Sequence, residues 1–171
     1  GYWNLDETSG GSAADSSGNN NHGTLLNGPV WTTGKVNNGL SFDGLNDYVS
    51  LGDPVSLRPA NVITLAAWVN FNNTSSNRQI ISKDDSEYPL TETFLRINTG
   101  GVILCAVGGV RVTASARIII GQWMHLACTY DGTAVRIYVN GALSGSVARS
   151  GPIPDEAGVG WLIGARTPTS P

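Results

Sequence analysis

Apolar residues recur at every second position through most of this chain, in short runs such as ITLAAWVNF (63 to 71), TFLRINT (93 to 99), VILCAV (102 to 107), WMHLACTYDG (123 to 132) and AVRIYVNG (134 to 141). A period of two sends alternate side chains to opposite faces of an extended backbone, so these runs read as strands. No long stretch keeps apolar positions at the three-and-four spacing of a helix without an interrupting Gly or Pro. Between the runs stand Thr99-Gly100-Gly101, Gly108-Gly109, Asp131-Gly132 and Asn140-Gly141. Such pairs adopt positive φ at little cost and favour tight hairpins, which predicts an antiparallel meander. In the 123 to 132 run, Met124, Leu126, Cys128 and Tyr130 share one face, while Trp123, His125, Ala127 and Thr129 share the other. Val135, Ile137 and Val139 are expected inward, with Arg136, Tyr138 and Asn140 outward.

With 171 residues, 40% hydrophobic and only 13% charged, the chain matches one all-β domain over residues 1 to 171, and its 22 glycines and 8 prolines match many turns. The net charge is −3 and the ten bases are spread singly from Lys35 to Arg166, which argues against a nucleic-acid partner. No apolar run approaches the roughly 20 residues of a membrane-spanning helix. The opening GYWNLDE has no charged-then-apolar leader, so any export signal is expected outside this segment. Cys105 and Cys128 both lie in strand patterns. Two buried free thiols and a disulfide between neighbouring strands both fit that placement, whereas a zinc site lacks its paired thiols.

Six markers follow one another along the chain: YWNLDETSG (2 to 10), ADSSGNNNHGTL (14 to 25), WTTGKVNNGLSFDGLNDYVSLG (31 to 52), ITLAAWVNF (63 to 71), GQWMHLACTYDG (121 to 132) and RIYVNGAL (136 to 143). In this order the chain resembles the laminin-G-like jelly-roll domains of the concanavalin-A-like lectin and glucanase superfamily. The resemblance implies two antiparallel sheets packed face to face in an extracellular module, commonly one part of a larger adhesive or carbohydrate-active protein. Such domains close with a segment of the form F-x-G-x-I-D-[DE] after the strand that here reads WLIGA, and this chain instead runs to ARTPTSP. Two expectations follow for the closing C-terminal strand of the jelly roll: this segment of chain is cut short of it, or a neighbouring molecule supplies it. That motivates an alternative expectation, a structural subunit of an extracellular filament, surface layer or phage particle that self-assembles through sheet edges or strand donation.

The oxygen-rich stretch ADSSGNNNHGTL sets out Asp15, Ser17 and Asn19 at alternate positions, as in the first half of an EF-hand loop, but the twelfth position is Leu26 and not Glu. The resemblance implies a structural calcium in this loop, held by Asp15, by Asn20, and by the backbone carbonyl of His22. The competing expectation is a metal-free turn in which Asp15 and Ser17 cap backbone groups. Asp43 and Asp47 are read as a turn between strands.

Retaining glycosidases need two carboxyl groups about 5 to 5.5 Å apart. Catalytic members of the resembled superfamily carry them as E-x-D-x-x-E, a pattern this sequence does not have. KDDSEYPLTE (83 to 92) is expected to be a solvated loop. The expectation is therefore a secreted, non-catalytic module that binds carbohydrate or an extracellular protein partner, and not an enzyme. Sugars stack their C–H faces on aromatic rings and need polar partners for their hydroxyls. Tyr88, Arg96, Arg111, Arg136 and Tyr138 are the candidates for that contact, while Trp3, Trp68, Trp123 and Trp161 are expected in the core.

Overall fold

The computed structural model describes residues 1–84, 91–155 and 157–166. Fourteen strands account for almost all the regular structure: β1 (Ser12–Ala13), β2 (Gly23–Leu26), β3 (Val30–Thr33), β4 (Asn38–Ser41), β5 (Tyr48–Gly52), β6 (Ile63–Val69), β7 (Arg78–Lys83), β8 (Thr93–Asn98), β9 (Val102–Val107), β10 (Val110–Arg117), β11 (Met124–Tyr130), β12 (Ala134–Val139), β13 (Ala142–Ala148) and β14 (Trp161–Ile163). Among the described residues, a single 3-10 turn spans Val55–Leu57. Among the described residues, no helix is long and apolar enough to cross a membrane.

The strands form an eight-stranded sheet in the order β1-β2-β5-β14-β7-β8-β9-β10, a four-stranded sheet in the order β13-β12-β11-β6, and the separate hairpin β3-β4. All pairings are antiparallel, and all four predicted glycine turns connect consecutive strands of the meanders β8-β9-β10 and β11-β12-β13. Asn140 and Gly141 both take positive φ, at 51° and 83°, the geometry that a two-residue hairpin matched to the strand twist requires.

The two sheets bury their inner faces against one another. Leu95, Ile97, Ile103 and Val49 from the larger sheet meet Leu126, Val135 and Ile137 from the smaller one, all closed to solvent. The inward assignment of Val135, Ile137 and Val139, and of Met124, Leu126, Cys128 and Tyr130, agrees with their burial. Along one side the edge strands β10 and β13 abut. A Cβ on Gly145 would stand 2.6 Å from the Thr113 carbonyl oxygen, so only glycine allows this approach, and Ser144 Oγ accepts from the Ala116 N–H.

Cys105 and Cys128 are joined in a disulfide with a Cα–Cα distance of 5.9 Å, within the usual range for such a bond. The free-thiol expectation is thereby corrected. The bond does not link neighbours in one sheet: it runs from β9 to β11 across the core, because both cysteines face inward from opposing sheets.

A second correction concerns KDDSEYPLTE. Its described ends are not solvated: Lys83 is 5% exposed, Asp84 2% and Glu92 0%. Lys83 faces the interior at the end of β7, where its Nζ donates to Asp53 Oδ1 and to the Val159 carbonyl, both at 2.6 Å. Asp53 also accepts from Arg58 and from the Gly158 N–H. Burial pushes the Asp53 carboxyl up, but the bonds from Lys83, Gly158 and Arg58 outweigh it and leave the group at about 2.

Candidate functional site

Three places drew the sequence-based candidates, and the structure separates them. The first is the loop at Asp15. It is ordered, with Asp15 bridged to Trp3 and the Trp3 indole N–H donating to the Asn21 carbonyl at 2.9 Å. Asp15 Oδ1 accepts from the backbone N–H groups of Tyr2 and Ser17, and Oδ2 accepts from Ser17 Oγ and the Asn21 N–H, at 2.8 to 3.0 Å. Burial pushes this carboxyl up, yet these four bonds hold it well below the usual carboxylate range. His22 Nδ1 accepts from the Asp15 N–H, and Asn20 is exposed with φ at 57°.

A carboxylate offers about four lone-pair directions, and here each is met by a donor. The arrangement does not fit calcium, which would need those oxygens turned toward it. Among the described residues, no group of three or more His, Cys, Asp or Glu side chains gathers to hold a metal. The oxygens of this stretch tie the loop down as an Asx-type anchor, so thermal melts in calcium chloride and in EDTA should coincide. A calcium-dependent rise in Tm would contradict the anchor.

The second place is the outer face of the four-stranded sheet. Arg136 and Tyr138 point outward there as expected, and Arg136 is committed to Asp131 at the hairpin just before it. Opposite His125 across the β11-β6 pair lies Trp68, 46% exposed. The two rings stand 5.3 Å apart, edge to face, and Lys35 Nζ lies 5.5 Å from the Trp68 ring centre. Trp68 is therefore not core, in contrast to Trp161, which is 4% exposed, and to Trp3, which packs half-buried on the core. The signal was present in ITLAAWV: if Leu65 faces in, Thr64, Ala66 and Trp68 must face out.

The third place is the outer face of the eight-stranded sheet, where Arg96 and Arg111 meet. In β8 the inward Thr93, Leu95 and Ile97 leave Glu92, Phe94, Arg96 and Asn98 on the other face. The register then sets Ser82, Phe94, Ala106 and Arg111 in one row across β7 to β10, and Gln79, Arg96, Leu104 and Thr113 in the next. Phe94, Ala106 and Leu104 form a small buried apolar cluster of their own, separate from the main core. Over it lies the Arg96 guanidinium, 4.4 Å from the Phe94 ring centre. Arg111 Nε donates to Glu92 Oε1, and Arg166, just past β14, forks onto Asp84 with bonds of 2.8 and 3.1 Å. The Arg166 Nη2 also stands 4.0 Å from Glu92 Oε2. Tyr88 lies outside the described residues.

Sequence reading missed Glu92, Asp84 and Arg166 as members of this group. It also missed that bases spaced singly along the chain would converge. Arg96 differs from its neighbours. Burial pushes its guanidinium down from the ordinary value, with Glu92 and Asp84 opposing that through Coulomb attraction and Arg111 and Arg166 reinforcing it. Its Nε is buried without a hydrogen-bond partner, as are Gln79 Oε1, Asn98 Oδ1 and Glu92 Oε2. Four of the six such atoms among the described residues thus lie on this one face. A buried polar atom without a partner costs about 1–3 kcal/mol, and four such atoms are gathered on this face.

Comparison with known proteins places the whole arrangement. A model of the concanavalin A-like lectin/glucanases superfamily, of laminin G type, matches residues 42–171. No curated protein sequence matches the chain. Among solved structures, domain 4 of AbnA, a GH43 extracellular arabinanase from Geobacillus stearothermophilus, in complex with arabinotriose, is 19% identical over 82% of this chain and 68% of that one, with a TM-score of 0.62. A putative carbohydrate binding protein from Bacteroides ovatus is 22% identical over 68% of this chain, with a TM-score of 0.56; the match spans 34% of that protein. A Trypanosoma rangeli sialidase mutant displaying trans-sialidase activity matches with a TM-score of 0.51 at 15% identity, over 87% of this chain and 24% of the other. At these identities the likeness shows the shared fold. The chain belongs to the concanavalin A-like lectin/glucanase superfamily, in its laminin G-like branch.

Proposed function

We propose that this domain is a non-catalytic carbohydrate-binding module of an extracellular protein, and that its sugar site is the outer face of the eight-stranded sheet around Arg96. One observation carries the reading: a half-buried guanidinium spread on an aromatic ring, with its Nε unpartnered and with the unpartnered amide oxygens of Gln79 and Asn98 nearby on β7 and β8. Buried polar groups are normally satisfied, and a polyhydroxylated ligand supplies both donors and acceptors at close spacing. The carbohydrate-bound domain of the arabinanase and the putative carbohydrate binding protein support the reading through their shared fold.

The buried carboxylates Asp84 and Glu92 favour a binding role over hydrolysis. Each faces an arginine of the same cluster, where a glycosidase pair would face a scissile bond across a cleft. The Cys105–Cys128 bond supports an oxidising, extracellular setting. The immobilised domain should bind a subset of a broad glycan array, and the Arg96→Gln variant should lose that binding while keeping its Tm within a few degrees. Silence of the intact domain across the array would overturn the reading and favour an assembly role.

A further inference from the structure

We infer that the sugar taken at this face carries a carboxylate. The inference rests on the carbohydrate reading above and adds the ligand's charge. Among the described residues the face holds three guanidinium groups, Arg96, Arg111 and Arg166, and two carboxylates, Glu92 and Asp84. Arg111 is hydrogen-bonded to Glu92 and Arg166 to Asp84, so each of these cations has its counter-charge in contact. Arg96 is the third cation. It feels Glu92 and Asp84 through space, and among the described residues it donates to no carboxylate of its own, while its two like-charged neighbours oppose it.

A guanidinium is a planar fork of five donors that matches a carboxylate with two parallel bonds, a match that an ammonium or a sugar hydroxyl does not reproduce. The contact with the Phe94 ring, 4.4 Å from its centre, restrains the Arg96 side chain, so less side-chain freedom is left to lose on binding. Arg111, in the adjacent row and exposed, lies toward β10 with its charge paired to Glu92, which leaves Arg96 as the cation without a contacting carboxylate among the described residues. The remaining demand on the face is of the opposite kind. Gln79 Oε1 and Asn98 Oδ1 are acceptors in want of donors, which ring hydroxyls provide. A neutral sugar meets the acceptors and leaves Arg96 without its anion; a simple anion does the reverse; a carboxylated sugar meets both.

Matched pairs separate this inference from the reading beneath it. Titration calorimetry of the intact domain would compare oligogalacturonate, oligoglucuronate and sialyllactose with the neutral galactan, glucan and lactose counterparts, alongside the glycan array. At least one acidic member should bind about tenfold or more tightly than its neutral partner. That preference should fall as NaCl rises from about 50 to about 500 mM, because a partly exposed charge pair is screened. Arg96→Gln should erase the preference, and Arg96→Lys, which keeps the charge and loses the fork, should restore only part of it. Equal affinity within every pair, or array binding confined to neutral sugars, overturns the inference and leaves the carbohydrate reading standing. Silence on the array and in every titration overturns both.

Discussion

Removing the Cys105–Cys128 bond should lower the melting temperature by roughly 7–14 °C. The bond closes a loop with a sequence separation of 23. For a loop of that length the chain-entropy model gives a stabilisation of about 3.5 kcal/mol, and a protein of this size loses about 2–4 °C per kcal/mol. Its position makes the effect global. β9 and β11 belong to different sheets, and the bond crosses the interface that forms the core. Thermal melts of the oxidised protein, of the protein reduced under denaturing conditions and refolded, and of a Cys105→Ala/Cys128→Ala variant would measure it. Reduced and oxidised samples that melt together would show that the covalent link adds nothing to the packing already present.

Lys83→Met should destabilise the domain by about 3 kcal/mol. That is the low end of the loss seen when one partner of a buried ion pair is removed, because Arg58 and the Gly158 N–H remain on Asp53. The methionine fills much of the same volume, so the loss reports the removed ammonium and not a cavity. It also leaves the Val159 carbonyl without its donor. The effect has a pH signature. Asp53 titrates at about 2 in the folded chain, below its ordinary 3.8. A depressed folded value means a contribution that is fully present above about pH 4 and is lost as pH falls toward 2. The gap between wild type and variant should therefore be full at pH 7 and narrow below pH 4. Denaturant midpoints at pH 7, 4 and 2.5 would follow it, and a gap independent of pH would sever the assignment to the Asp53 pair.

The strand meander was legible because its information is local. Period-two alternation in TFLRINT and AVRIYVNG assigns side chains to faces without knowledge of the partner strand, and Asn140-Gly141 specifies a hairpin from two residues. The alternation of TFLRINT also sets Arg96 opposite Leu95 and Ile97, both closed to solvent. Trp68 was misjudged as core. The alternation of its strand turns it outward, because Leu65, an odd three residues away, is buried with 5% exposure.

What the sequence by itself determined is the class of the fold, the hairpin turns, and the inward faces of β11 and β12, since these depend on steric preferences a few residues long. Pairing across sequence was decided only in the tertiary structure. It joins Cys105 to Cys128 through the core, and it turns Lys83 inward onto Asp53. It brings Arg166 from beyond β14 to Asp84 at the end of β7, because β14 inserts between β5 and β7 rather than continuing the last meander. The Asp15 loop follows the same rule. Its oxygens were visible in order, but whether they face a metal or N–H groups depends on Tyr2 and Asn21 arriving from either side. In this chain the backbone N–H groups of Tyr2, Ser17 and Asn21, with the Ser17 hydroxyl, donate to the carboxylate.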